Sequence, residues 1–91
     1  MVLVKHLILD VLKPHQPTAI EFCCKLAEVG DDYAVSLSVL EVDQETETVE
    51  VSIEGNNLDF EAIQDAITQM SSSLHSVDVV EVRNENPDIG T

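Results

Sequence analysis

The strongest constraint on the fold is a continuous apolar segment near the start of the chain. Residues 4–12 read Val-Lys-His-Leu-Ile-Leu-Asp-Val-Leu, with aliphatic side chains at both odd and even positions. Because successive residues of a strand point to opposite faces, this strand is apolar on both faces, as is typical of a strand in the centre of a sheet. Residues 13–17, which include two prolines, predict a rigid joint that sets where the first helix leaves the sheet.

The rest of the chain predicts the element order β-α-β-β-α-β. Alternation of apolar and polar residues indicates strands at residues 3–12, 33–42, 47–54 and 74–83, with a bulge within 39–42. Spacing of three and four residues indicates helices at 17–29 and about 60–70. We expect Pro17 at the first helical position, Gly30 just past the end of that helix, and Asp59 as the cap of the second helix.

Each predicted helix has an apolar stripe that should face the sheet. The residues of the first stripe are Ile20, Cys23, Cys24, Leu26 and Ala27, and those of the second are Phe60, Ile63, Ile67 and Met70. Neighbouring residues on a helix point about 100° apart, so a disulfide between the two adjacent cysteines is not expected. We interpret both thiols as core atoms and not as nucleophiles.

These elements predict one ferredoxin-like α+β domain at residues 1–83, followed by a polar tail at 84–91. The fold is a four-stranded antiparallel sheet of order 4-1-3-2 with two helices on one face. Lys5, Leu7, Leu9 and Val11 should face the helices, and His6, Ile8, Asp10 and Leu12 the open side, which Leu40 and Val79 can join. Apolar residues on an open face predict a homo-oligomer formed through that face or the sheet edges. The alternative is scattered exposed aliphatics, which are normal.

The charge balance of the chain excludes some classes of binding partner and indicates the salt concentration in which the protein works. Eighteen acidic residues face four basic ones, for a formal net charge of −14. This balance argues against binding to nucleic acid or to anionic membrane surfaces. Self-repulsion of this size is screened at molar salt, so we expect a halophilic cytoplasmic protein. An acidic partner-binding surface is the alternative. No segment has the length of a membrane span or the pattern of a signal peptide.

The predicted topology brings several polar segments to one end of the sheet. The end of the first strand, the turn between the second and third strands, and the start of the fourth strand meet there. We predict a divalent cation site with Asp10, Asp43, Glu45 and Asp78 as metal ligands and Lys13, His15 and His75 as further ligand-binding residues. Oxygen ligands favour calcium or magnesium, and histidine shifts the preference towards zinc. The alternative is that acids crowd everywhere in such a chain and the histidines form local hydrogen bonds.

Two other functions stay open. An enzyme could use His75 as a general base beside Asp78, because a carboxylate fixes the tautomer of a histidine and raises its basicity. A purely structural assembly subunit would instead use these residues in salt bridges and caps, for example between Lys13 and Asp43 or Asp78. No glycine-rich phosphate loop or other catalytic motif is present, so a non-enzymatic role is favoured.

Four separated segments resemble the small archaeal proteins grouped as domain of unknown function 211. The segments are residues 9–17 (LDVLKPHQP), 41–47 (EVDQETE), 53–60 (IEGNNLDF) and 74–80 (LHSVDVV). The resemblance implies a ferredoxin-like fold and ring-like homo-oligomers, some with bound cations, and it implies no activity. The motif residues shared here include Asp10, Lys13, His15, Asp43, His75 and Asp78. The leading hypothesis is therefore a homo-oligomeric module that binds a divalent cation or small ligand in a regulatory or structural role.

Overall fold

The computed structural model describes residues 1–86 and has the predicted order of elements. The strands are β1 (Val2–Pro14), β2 (Ala34–Val42), β3 (Thr46–Glu54) and β4 (Ser73–Asn84), and the helices are α1 (Ala19–Ala27) and α2 (Phe60–Gln69). All neighbouring strands are antiparallel, and the sheet order is β2-β3-β1-β4. This order is the predicted 4-1-3-2 read from the other edge, so the ferredoxin-like fold is confirmed.

β1 forms the middle of the core, as its two-sided apolar pattern predicts. Leu7, Leu9 and Val11 are buried on the side that faces the helices. β3 adds Val49, Val51 and Ile53 to the same cluster, and the helices add Phe22, Leu26, Ile63 and Ile67. Full burial of one such aliphatic or aromatic side chain stabilises a fold by about 1.5 to 3 kcal/mol. The sheet and the helices are therefore held together by one aliphatic core.

α1 begins later than the sequence predicts. Its N-cap is Thr18, and Pro17 lies outside the helix, after a cis peptide bond to Gln16. The Glu21 amide donates to Thr18 Oγ1 at 3.3 Å, and the Thr18 amide donates to Glu21 Oε1 at 2.9 Å. This capping box satisfies two amides that a helix start leaves without partners, which makes Thr18 the better start. In α2 the predicted cap is confirmed, because Asp59 Oδ1 accepts from the Ala62 amide.

The predicted apolar stripe of α1 is only partly correct. Leu26 is buried with Phe22, whereas Ile20 is 77% exposed, Cys24 is exposed and Cys23 is half-buried. Two apolar stripes overlap on this short helix. The stripe that carries Phe22 and Leu26 at i and i+4 has the larger area to bury, so it turns towards the sheet and the cysteine stripe turns away.

The glycine that follows α1 after Glu28 and Val29 also has a different role from the expected one. Gly30 has no positive φ angle, and the cap residue Glu28 is right-handed. A Cβ atom at Gly30 would instead collide with the ring of Tyr33. Tyr33 is held in that place because its hydroxyl accepts a hydrogen bond from the Asp59 amide at 2.7 Å. Glycine is therefore required by close packing and not by backbone conformation.

Bulges interrupt the pairing between each edge strand and its neighbour. The register between β2 and β3 shifts between Val39 and Glu41, so the predicted bulge falls at Leu40. The register between β1 and β4 shifts three times, and the unpaired residues are Lys5 on β1 and His75 and Asp78 on β4. Bulges are common at sheet edges, where they re-aim side chains.

The described part of the predicted C-terminal tail continues the fold. Asn84 is the last residue of β4, and the Glu85 amide donates to the Met1 carbonyl at 2.7 Å. Glu85 also pairs with Lys5 at 3.0 Å. Residues 87–91 of the predicted tail lie outside the described residues. Within residues 1–86, no helix has the length and apolar character needed to cross a membrane.

Candidate functional site

A buried lysine closes the end of β1. Lys13 is fully buried, and its Nζ donates to Glu47 Oε1 at 3.0 Å and to the Pro14 carbonyl at 2.9 Å. Lys13 and Glu47 are cross-strand partners in the β1–β3 register. A buried ammonium group must be paired, because its desolvation is costly. Glu47 therefore fixes the end of the central strand to the start of β3.

His15 extends this ion pair to the turn between β2 and β3. Its Nδ1 lies 3.1 Å from Glu47 Oε2, and its Nε2 lies 3.0 Å from the Asp43 carbonyl and 2.9 Å from the Gln44 carbonyl. Both ring nitrogens thus face acceptors, and only the doubly protonated ring can donate to both sides.

The two charged partners shift each other's titration. The hydrogen bond with Glu47 and then that with the Gln44 carbonyl raise the pKa of His15 above its ordinary value of 6.5. The hydrogen bonds from His15 and then from Lys13 lower the pKa of Glu47 below its ordinary value of 4.5. Each shift favours the charged form of its group. We name Lys13, Glu47 and His15 the Lys-Glu-His cluster.

The chemistry open to this cluster is limited by its contacts. The Lys13 side chain has no exposed surface, and His15 has no ring nitrogen free to accept a proton from a substrate. Lys13 pairs with Glu47 and not with Asp43 or Asp78, which are the partners expected for a purely structural subunit. The cluster joins three segments of the chain and so acts as a structural tie.

The structure divides the four predicted metal ligands between two places. Asp43 and Glu45 are exposed on the β2–β3 turn, whereas Asp10 and Asp78 belong to β1 and β4. Across residues 1–86, no group of three or more His, Cys, Asp or Glu side chains is arranged to hold a metal ion. The predicted set is therefore not one cluster, and a cation at any part of it stays a proposal.

Asp10 is the predicted ligand with an unusual environment. Its Oδ1 is shielded from solvent and has no hydrogen-bond partner among the described residues. Glu50 of β3 and Ser76 of β4 are its cross-strand neighbours. Ser76 Oγ donates to Asp78 Oδ1 at 2.7 Å and not to Asp10. Two carboxylates directly opposite each other repel, and across residues 1–86 neither of these two forms an ion pair with a basic side chain.

His75 and Asp78 do not form the pair that a general base would need. Both are exposed bulge residues of β4, and the described structure has no hydrogen bond between them. Asp78 is instead paired with Ser76. The geometry gives His75 no partner that fixes its tautomer, and so it offers no support for catalysis at this position.

Two features of the surface were not expected from the sequence. The helices α1 and α2 border an open groove of about 480 Å³, whose lining includes Ile20, Cys24, Lys25 and Met70. Glu47 begins the predicted third strand and is not among the predicted site residues. Charge complementarity to Lys13 is its signal in the sequence, but the register of β3 against β1 is what places the two residues opposite each other.

The most exposed apolar strand of the sheet is β4. Only Leu74 of this strand is half-buried, and every other residue is exposed. The exposed fractions of Val77, Val79, Val80 and Val82 are 39%, 40%, 57% and 55%. Val77 and Val80 lie opposite the core residues Leu9 and Leu7, whereas Val79 lies opposite Ile8 on the open face. β4 thus presents valines on both faces and, within residues 1–86, pairs with β1 alone.

Removal of the Glu47 carboxylate should destabilise the fold because it leaves Lys13 buried without its counter-ion. For Glu47→Ala we expect the free energy of unfolding to fall by about 2 to 4 kcal/mol, a little less than for a fully buried ion pair, because the Glu47 side chain is 19% exposed. The measurement is urea unfolding followed by circular dichroism. Glu45→Ala, on the exposed turn, is the matched control and should stay within about 0.5 kcal/mol of the parent. Equal stability of the two variants would contradict the structural role of the cluster.

Comparison with known proteins agrees with the resemblance noted in the sequence. The model of the DUF211 family, described as uncharacterised ArCR, matches residues 5–85. An uncharacterised protein of Methanocaldococcus jannaschii, MJ0319, is 43% identical over 77 residues, which cover 85% of this chain and 79% of that protein. The family match includes most of β1, all of the other three strands and both helices. The chain therefore belongs to the domain of unknown function 211 family.

Proposed function

We propose that the protein is a non-enzymatic subunit of a ring-like homo-oligomer, in which β4 of one copy pairs with β2 of the next. The observation that carries the proposal is the exposure of β4, whose four valines lie beside a backbone edge that pairs with no other strand of residues 1–86. Unpaired N–H and C=O groups along an exposed strand are a template for another strand. Apolar side chains on both faces of that strand favour the same contact, because they lose their exposure to water when it forms.

The second edge of the sheet explains why the contact is head-to-tail. β2 pairs with β3 alone among the described strands, and its Val39, Leu40 and Val42 are 47%, 61% and 63% exposed. A β4–β4 contact would give a closed dimer and leave both β2 edges open. A β4–β2 contact covers both edges of every copy, and a repeated head-to-tail contact closes into a ring where the rotation permits.

The distribution of charge is compatible with this contact. In a chain with net charge −14, copies can approach closely only where acids are few. β4 has two acids, Asp78 and Glu81, together with Arg83, and β2 has the single acid Glu41. The two edges are therefore among the least repulsive parts of the sheet.

Acidic substitutions at either edge should dissociate the assembly. We expect Val80→Asp on β4 and Leu40→Asp on β2 each to lower the native mass, because each adds a charge to the proposed contact. The mass is measured by light scattering after size exclusion in molar potassium chloride. Ile20→Asp is the matched control, because Ile20 is 77% exposed on α1, away from both edges, and its mass should equal that of the parent.

Mixing the two edge variants separates the possible arrangements. In a head-to-tail assembly each variant keeps one intact edge, so an equimolar mixture should form a heterodimer. A parent-like mass for Leu40→Asp together with a reduced mass for Val80→Asp would show a two-fold β4–β4 contact instead. A monomeric parent at micromolar concentration would contradict the proposal.

The proposal includes a halophilic cytoplasmic environment, which the charge of −14 supports. At about 0.1 M salt the Debye length is near 10 Å, against about 3 Å at 1 M, so the acids repel each other more strongly at low salt. We expect the melting temperature and the assembled fraction to fall together as potassium chloride is reduced from molar to about 0.1 M. Calorimetry measures the melting temperature and light scattering measures the assembled fraction over that range of salt. An unchanged melting temperature would contradict the proposal of a halophilic protein.

A divalent cation at the open face is a second candidate function, and the unpaired Oδ1 of Asp10 is the observation that favours it. A cation there would neutralise the Asp10–Glu50 pair and accept oxygen ligands, which suit calcium or magnesium better than zinc. Calorimetric titration with each metal in molar potassium chloride should show saturable heat that Asp10→Asn abolishes. Asp65→Asn, on the exposed face of α2, should leave the heat unchanged. The absence of saturable heat from the parent would contradict the cation site.

A further inference from the structure

We propose that His15 is a pH-dependent latch, which holds the turn between β2 and β3 against the end of β1 while its ring carries two protons. One ring nitrogen faces the Glu47 carboxylate, and the other faces the carbonyl oxygens of Asp43 and Gln44. None of these three contacting oxygens can donate a proton at neutral pH. The ring is thus the only source of hydrogen for all of these contacts.

Loss of one proton must therefore break one side of the latch. A neutral imidazole has one N–H, so its other nitrogen would place a lone pair against an oxygen lone pair. The tautomer that keeps the Glu47 contact releases the two turn carbonyls. The other tautomer keeps the hydrogen bonds to the two turn carbonyls, but its Nδ1 lone pair then faces the Glu47 carboxylate. In either case the link from β1 through Glu47 to the turn is interrupted.

The surrounding charges all act through the same contacts. From β3, Glu47 faces the ring directly, and from β1, Lys13 lies on the far side of the Glu47 carboxylate. The turn presents the backbone carbonyls of Asp43 and Gln44, while the side chains of Asp43 and Glu45 are exposed. The hydrogen bonds from His15 and then from Lys13 lower the pKa of Glu47, which favours the ionised carboxylate that the imidazolium contacts.

The direction of the pH effect follows from the two shifts. The pKa of His15 is raised in the folded protein. The stabilising contacts of His15 are therefore complete below pH 6.5 and are lost as the pH rises through its folded-state pKa. The pKa of Glu47 is lowered, so its contribution is complete above 4.5 and is lost as the pH falls below that value. The contacts of the latch are therefore most stable between pH 4.5 and pH 6.5, and the latch opens at higher pH.

The Asp43 amide provides the local readout for the turn. It donates to the Thr46 carbonyl at 2.8 Å and closes the turn whose carbonyls His15 holds. Nuclear magnetic resonance can follow the ring nitrogens of His15 and the hydrogen exchange of this amide in one sample. We expect both ring nitrogens to be protonated near pH 6. We also expect the Asp43 amide to exchange several-fold faster, after correction for the intrinsic effect of pH, once His15 has lost its proton.

His15→Gln is the decisive variant because its amide still donates to the turn but does not titrate. The corrected exchange of the Asp43 amide should lose its pH step in this variant, while the core amides of β1 stay protected. Two results would overturn the proposal. One is a folded-state titration of His15 at or below that of the same residue in the urea-unfolded chain. The other is a pH step at Asp43 that persists in His15→Gln.

Discussion

The structure depends on the central place of β1, which is buried on its helix-facing side and paired with a neighbouring strand along both edges. Its alternate residues Leu7, Leu9 and Val11 fill the core under the helices, while β3 and β4 satisfy its backbone on both edges. Because the side-chain period of a strand is two, a slip of one residue would move this whole apolar set to the open face. β1 thus fixes the register of its neighbours, and through them the place of every polar residue discussed above.

The Lys-Glu-His cluster shows how an acid-rich chain uses its few basic residues. Of the four Lys and Arg side chains, Lys13 ties the end of β1 to β3, and Lys5 ties its beginning to Asn56 and Glu85. Both lie on the central strand. Most of the other acids lie at exposed positions, where salt can screen their repulsion, and the half-buried Asp10 of β1 is an exception. A cluster of this kind stabilises the fold and at the same time makes one turn sensitive to pH.

The sequence predicted those features that depend on local pattern. The strand periods, the bulge near Leu40 and the Asp59 cap all follow from a few adjacent residues, and the topology follows from the order of elements. What failed required a choice between competing local signals. Either Pro17 or Thr18 could precede the first turn of α1, and the capping box favours Thr18 as the start. Either of two apolar stripes of α1 could face the core, and the larger area of Phe22 favours the stripe that carries it.

The candidate site was harder to predict because it depends on side-chain pairing across strands. The sequence brought Lys13, His15 and the β2–β3 turn to one end of the sheet, and that placement agrees with the structure. The sequence could not show that Lys13 would form its ion pair with Glu47 and not with Asp43 or Asp78, because the chain has eighteen acidic residues. Only the register makes one of them a direct neighbour.

The account rests most heavily on β4 being covered by a second copy of the chain. The most direct test is hydrogen–deuterium exchange of a peptide that spans β4, measured in molar potassium chloride over a wide range of protein concentration. If the outer edge pairs with another copy, its amides should be protected nearly as well as those of β1 at high concentration and should lose that protection on dilution. Rapid exchange of the outward-facing amides at every concentration would show that β4 is a free edge, and would contradict the account.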